Sequence, residues 1–383
     1  MNRLMRKLTF LLLAFAFACQ QPVKKEKAIY TKADFESTID GKPTTLFELE
    51  NSNGMKVTLT NYGAKIVSIY VPDKEGNLAD VALGFKSIEE YQTLDAGQGA
   101  VVGPFANRIG NARFELDGEV YELEVNNHKA NLHSGPNSFF RQVYDAKELV
   151  TEDGPAVEMT LLSADGASGF PGNKEVKVTY TLTGNNELKI DYQATTDKAC
   201  PFNLTNHVYF NLKGEGNGDI LDHIVVIDAD STTEILDNEL IPTGNIVSIK
   251  GTDMDFTSPH TVGERIDSEM QALAVAGGYD HNYILNKDQE AGEMTFCASV
   301  YEPVSGRYME VYTTEPAVQF YTGNFLNGSL TGRSGKVYEH RYGLCLETQH
   351  YPDSPNHPNF PNTILYPGDT LKSTTIYKFS VKE

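Results

Sequence analysis

The chain has 383 residues, 40% hydrophobic and 22% charged, with a formal net charge of −20. That hydrophobic share supports a sizeable packed core and argues against wholesale disorder. So acidic a balance argues against nucleic acid and anionic membrane surfaces as partners, and suits a protein that handles a neutral ligand.

In chain order, the first element is a targeting segment. Arg3, Arg6 and Lys7 form a basic start, and residues 8–18 are an apolar run too short to span a bilayer. The run ends Ala16-Phe17-Ala18-Cys19-Gln20-Gln21, which resembles a bacterial lipoprotein leader. Residues 1–18 are therefore expected to leave as a signal peptide and Cys19 to carry the lipid. Residues 19–35, rich in Lys and Gln, are expected to form a tether. The implied place is the bacterial cell envelope, facing the periplasm, with membrane contact only through the lipid. Residues 36–383 show no composition break and are read as one domain.

Two-residue alternation then dominates. Met55, Val57 and Leu59 alternate with Lys56, Thr58 and Thr60; Asn61-Tyr62-Gly63 turns the chain into a second strand over 66–70. Residues 87–94 carry a short helical period. The clearest hairpin sets Val176, Val178, Tyr180 and Leu182 against Leu188, Ile190 and Tyr192 across Gly184-Asn185-Asn186. Similar strands are predicted at 119–125, 156–162, 223–228, 295–301, 307–313, 317–322 and 374–381. Strand–helix alternation of the parallel kind is missing. The pattern predicts an all-β fold, a large antiparallel β-sandwich with few short helices.

Polar residues break into these apolar runs at five places. Residues 102–110 carry Asn107 and Arg108, whose rigid fork of donors suits hydroxyls or a carboxylate. Residues 126–135 place His133 before a Gly turn. Residues 201–212 (P-F-N-L-T-N-H-V-Y-F-N-L) mix amides, His207 and Tyr209 in a strand-like run. Amides bond hydroxyls and rings cover apolar sugar faces, so the mixture suits a carbohydrate. Residues 278–283 carry Asp280, and residues 317–326 carry Gln319. Taken singly, each fits a satisfied structural polar group better than a functional one, because such groups are common.

The last stretch, 344–369, begins as an apolar run with Glu347 at its end and breaks into a proline-rich loop. Proline fixes φ and lacks an N–H, so this loop is neither helix nor central strand and holds its neighbours at low entropic cost. An acid at that junction is well placed to act as a base. Cys200, Cys297 and Cys345 are widely spaced, give no disulfide framework or metal knuckle, and are expected to be buried thiols.

As an ordered set, G-x-x-x-N-R-I, L-H-x-G, N-L-T-N-H-x-Y-F-N-L, Y-D-H-N-Y, V-Q-F-Y-T-G-N-F-L and L-E-T-Q-H-Y-P-D-S-P-N-H-P resemble the aldose 1-epimerase (galactose mutarotase) family, from about residue 40 to 383. The resemblance implies a twisted antiparallel β-sandwich and interconversion of the α and β anomers of free aldohexoses such as galactose and glucose. It implies Glu347 as general base, His207 as general acid, and His133 beside the reacting oxygens. It also implies sugar-hydroxyl contacts from Asn107, Arg108, Tyr209, Asp280 and Gln319. No cofactor is implied, and the chain is expected to act as a monomer. Two departures stand out. Ser134 occupies a position where the family has Gly, and the Trp that often follows is absent, leaving Tyr144 to take its packing role.

Three other readings stay open on residues alone. A glycoside hydrolase would pair Glu347 with Asp280, and a non-catalytic carbohydrate-binding domain would use the same groups without proton transfer. His340, His350 and His357 match no zinc spacing. The acidic turn at 214–222 offers oxygens for a structural Ca²⁺.

Overall fold

The structure, a computed structural model, describes residues 29–94, 97–287 and 292–383. The expected signal peptide, Cys19 and most of the tether lie outside the described residues. The chain is already docked at the tether's far end. Tyr30 and Phe35 are buried, and the Tyr30 hydroxyl lies 2.7 Å from Ser68 Oγ.

Three antiparallel sheets share one core. The largest has nine strands, in the order Asp145–Val150, Pro155–Ser163, Lys174–Leu182, Glu187–Thr196, Leu371–Val381, Arg307–Thr313, Thr295–Tyr301, Ile224–Ile227 and His260–Thr261. Its third and fourth strands are the predicted hairpin: Val178 faces Tyr192 and Tyr180 faces Ile190 across the ladder, all buried. A four-stranded sheet runs Leu46–Glu50, Lys56–Thr60, Lys65–Pro72 and Leu78–Asp80. A five-stranded sheet runs Ile246–Ser248, Ala229–Thr233, Asp280–Leu285, Ala317–Tyr321 and Cys345–Gln349. Val57 and Ile66, Tyr180 and Ile190, and Tyr283 and Phe320 belong to one apolar cluster drawn from all three sheets. Burying each such side chain contributes on the order of 1.5–3 kcal/mol.

Hydroxyls tie the layers together. Tyr180 donates to Ala64 O (2.6 Å) and Tyr377 to Leu346 O (3.1 Å), while Thr348 and Thr375 meet at 2.6 Å. Among the described residues there are two short α-helices, Ile88–Thr93 and Gln271–Ala276. The first is the expected one; Ser87 Oγ caps it by accepting the Glu90 N–H.

Two local expectations need correction. Glu347 lies at the middle of its strand, Cys345–Gln349, rather than at its end. Polar Thr348 continues the strand because its hydroxyl has a buried partner in Thr375. The 201–212 stretch is mostly irregular, with strand only at Cys200–Pro201 and Thr205–Asn206. Its amides bond loop backbone instead: Asn203 and Asn206 both donate to carbonyls outside their own strand. Tyr144 is fully buried in the main apolar cluster.

Candidate active site

The five-stranded sheet has one polar and one apolar face. Its register sets Asn282 opposite Gln319 and Gln319 opposite Glu347; one step along, Asp280 faces Tyr321 and Tyr321 faces Cys345. Paired residues share a face and successive residues alternate. Asp280, Asn282, Gln319, Tyr321, Cys345 and Glu347 therefore project from one side. Tyr283, Val318, Phe320 and Leu346 project from the other, into the core. Strand alternation alone puts the acid, the amides and the tyrosine together.

Two further segments close over that polar face. Arg108–Ile109 pairs with Asn131–Leu132, so the arginine and histidine stretches are adjacent. Asn107, His133 and Ser134 all adopt positive φ (64°, 54° and 62°). Asn tolerates this conformation; Ser does so less readily. The Ser134 hydroxyl offsets the strain by accepting Phe105 N–H (2.8 Å) and donating to Phe105 O (3.0 Å). The family's Gly is thus replaced by a side chain that anchors the turn. His207 follows Thr205–Asn206, which pairs with Val101–Val102. Its backbone is held from both sides: it donates to Ala100 O and accepts from Gly99 N.

The result is a cavity of about 200 Å³. All eight residues singled out from sequence line it: Asn107, Arg108, His133, His207, Tyr209, Asp280, Gln319 and Glu347. His207 Nε2 lies 3.6 Å from Glu347 Oε1, both nearly fully buried. The His207 ring stacks on Tyr209 (5.0 Å, 18°) and meets His133 edge-on (5.2 Å, 72°). Arg108 is aimed by its neighbours. Its Nε donates to Asn127 Oδ1 (3.1 Å), and its Nη2 is 3.8 Å from Asp280 Oδ2. Gln319 Nε2 donates to the other Asp280 oxygen at 2.6 Å.

Proton affinities follow from this burial. Desolvation, with Asp280 adding to it, pushes the Glu347 carboxyl well above its ordinary pKa, and Arg108 only partly opposes that. Glu347 Oε2 and Gln319 Oε1 have no hydrogen-bond partner among the described residues, so ligand hydroxyls have acceptors waiting. Burial holds His133 well below its ordinary pKa, with His207 and Arg108 pushing the same way. His133 Nδ1 accepts the Asn107 N–H at 3.1 Å, so the neutral ring carries its proton on Nε2. His133 is thus a fixed neutral donor.

His133, His207 and Glu347 are also the one set of three metal-ligating side chains that converges among the described residues, within 4.8 Å. The Nε2–H form of His133 suits proton chemistry better than coordination, which needs a lone pair there. Elsewhere, His350 pairs with Glu315 and His357 with Asp353. In the 214–222 turn, Asp219 and Asp222 both reach Lys213, while Glu215 accepts from the Tyr338 hydroxyl. Cys200, Cys297 and Cys345 are free and buried.

Sequence reasoning did not single out Asn127, Tyr321 and Phe325, which also line the cavity. Tyr321 was available from the strand period, two residues beyond Gln319. Asn127 was not, because only tertiary pairing brings it to Arg108.

A model of the aldose 1-epimerase family matches residues 45–378. The chain is 43% identical to a galactose mutarotase of Rattus norvegicus over 330 residues, 86% of this chain and 92% of that protein. It is 39% identical to an aldose 1-epimerase of Escherichia coli (strain K12) over 342 residues, 89% and 96% of the two chains. Its fold superposes with a TM-score of 0.80 on an aldose epimerase homologue from C. elegans, 29% identical and covering 89% of this chain and all (100%) of the other. It gives the same TM-score, 0.80, with a galactose 1-epimerase from Lactobacillus acidophilus NCFM at 26% identity, covering 91% and 97%. The chain belongs to the aldose 1-epimerase family, isomerases that interconvert the α and β anomers of aldoses.

Proposed function

We propose that Glu347 is the general base and His207 the general acid of this anomer interconversion, acting on a free aldohexose such as galactose or glucose. The observation that carries the assignment is the 3.6 Å approach of His207 Nε2 to Glu347 Oε1 in a cavity that also holds the hydroxyl-binding groups Asn107, Arg108, Asp280 and Gln319. The C1 hydroxyl and the ring oxygen share one carbon, so two carriers a few ångströms apart can reach both.

Glu347 takes the C1-hydroxyl proton, and that oxygen's electrons form the C1 carbonyl. The bond from C1 to the ring oxygen breaks, and the ring oxygen takes a proton from His207. Rotation about C1–C2 presents the other carbonyl face. The ring oxygen then attacks C1 and returns its proton to His207, while Glu347 returns its proton to the carbonyl oxygen. Both groups end as they began. Arg108, Asp280 and Gln319 hold the remaining hydroxyls, and the His133 Nε2–H steadies the oxygens at C1. No redox or metal chemistry enters this scheme.

Positioned proton transfer contributes roughly 10²–10⁴-fold. Glu347→Gln and His207→Asn are each expected to lose about that much kcat in polarimetry on freshly dissolved α-D-galactose and α-D-glucose. A Glu347→Gln variant with near-normal decay of rotation would remove the base assignment. Sugar binding with no rate enhancement by the native chain would favour a binding domain instead. The lipoprotein leader with modified Cys19, an envelope location and a monomeric state belong to the same proposal. Palmitate labelling that persists in Cys19→Ala would overturn the anchor.

A further inference from the structure

A general acid at His207 must give and regain its proton at Nε2, the nitrogen that faces Glu347, so the neutral ring must hold its own proton on Nδ1. Which nitrogen of the neutral ring holds the proton is set by the hydrogen bonds the two make. His207 Nδ1 lies 3.5 Å from the Cys345 thiol. Cys345 is fully buried and does not line the cavity, so it acts only through neighbours that do, His207 among them with Tyr209 and Tyr321. It stands two residues before Glu347 on the same strand face. One short strand thus carries both the base and a partner of the acid.

We propose that Cys345 is a positioning residue for His207: its sulfur accepts the Nδ1–H and keeps Nε2, the nitrogen that gives and regains the proton, turned toward Glu347 and the reacting oxygens. This rests on His207 being the general acid. A thiol is a weak donor and a weak acceptor. In the imidazolium both nitrogens carry hydrogen and the Nδ1–H points at sulfur. After Nε2 gives its proton to the ring oxygen, the neutral ring keeps the Nδ1–H on sulfur and Nε2 is free to take the proton back. The contact therefore persists on both sides of proton transfer and favours neither strongly. A carboxylate at that place would hold the ring as imidazolium and weaken it as an acid. Burial, with Glu347 and Asp280 adding to it, raises the thiol pKa well above normal, so the S–H persists. Among the described residues, His207 also meets Glu347, His133, and the Tyr209 and Tyr321 rings at 5.0 and 6.5 Å. Of these, only His133 titrates near neutrality in ordinary surroundings.

The test compares Cys345→Ala, Cys345→Ser and His207→Asn with the full native chain. Cys345→Ala is expected to lower kcat about tenfold, the scale of one weak hydrogen bond made in the transition state, with KM nearly unchanged. Cys345→Ser, whose hydroxyl also donates and accepts, is expected to recover most of kcat. The ¹⁵N resonances of neutral His207 are expected to show mixed tautomers in the Ala variant and the Nδ1–H form in the native and Ser chains. Native kcat and native ¹⁵N shifts in Cys345→Ala, beside a severe His207→Asn, would overturn the inference while leaving the acid assignment intact. A Ser variant as slow as the Ala variant with matching thermal midpoints would overturn it too, since packing alone then explains the loss. A mild His207→Asn would instead remove the acid assignment on which it stands.

Discussion

Glu347 must hold negative charge where burial and Asp280 both oppose it. Its proton affinity in the fold is therefore higher than in the unfolded chain. The sign follows: this group adds stability at low pH, and that contribution is lost as pH rises through its raised folded value. At neutral pH the ionised carboxylate is a cost to the fold. Glu347→Gln is expected to be inactive and yet more heat-stable than the native chain, by roughly 0.5–2 kcal/mol, as at other strained functional sites. A lower thermal midpoint in calorimetry would contradict this. For the same reason the acid limb of kcat/KM should lie above the pH at which an ordinary glutamate titrates; a limb at the ordinary value would mean Glu347 is not the group reporting. At this scale the sequence was informative about identity and silent about charge state. His207 and Glu347 were legible because family motifs surround them. The lone pairs left on Glu347 Oε2 and Gln319 Oε1, and the thiol behind His207, depend on side-chain placement that spacing cannot show.

The proline-rich loop after Glu347 does not line the cavity but braces the Arg108 segment that does. Asp353 donates its N–H to Arg108 O (2.8 Å), and its Oδ1 accepts Gly110 N–H (2.9 Å). Gly110 fits because a Cβ there would sit 2.9 Å from Asp353 Oδ2. Asn203 bridges the same region by donating to both Ala106 O and His350 O. Asp353→Ala should therefore loosen Arg108 while leaving the proton carriers in place. The expectation is a KM raised about tenfold with kcat changed much less, read from initial rates over a range of galactose concentrations. An equal fall in kcat with unchanged KM would show that the loop supports the chemistry rather than hydroxyl binding. The loop's stiffness was legible in its prolines. Its partner was not, since Asp353 and Arg108 are far apart in sequence. The hairpin at 174–196 was legible for the opposite reason, because its pattern is local and strictly alternating. The strands Ala317–Tyr321 and Cys345–Gln349 are buried on both faces, which hides the polar face that makes the site.

Across the whole molecule, ion pairs between sheets tune stability with pH. His350 Nδ1 and Glu315 Oε2 meet at 2.6 Å where the five-stranded and nine-stranded sheets approach. Burial alone would raise the Glu315 carboxyl, but His350 brings it below its ordinary value. Burial alone would lower His350, but Glu315 brings it above its ordinary value. The Glu315 contribution is lost as pH falls through its lowered value, and the His350 contribution is lost as pH rises through its raised value. The pair therefore stabilises most between the two. Glu315→Gln should lower stability by roughly 3 kcal/mol in that window and by less at either extreme, measured by urea unfolding. A pH-independent loss would show that the pair acts by packing alone. The acidic composition pointed to a neutral ligand, and a polar cavity inside a β-sandwich agrees with it.

The most direct test of the account is the decay of optical rotation of fresh α-D-galactose with native, Glu347→Gln and His207→Asn chains side by side. The account predicts rapid mutarotation by the native chain and a loss of at least about 10²-fold in kcat in each variant, with both variants folded. Native-like decay with either variant would contradict it, because the proton carriers would then lie elsewhere.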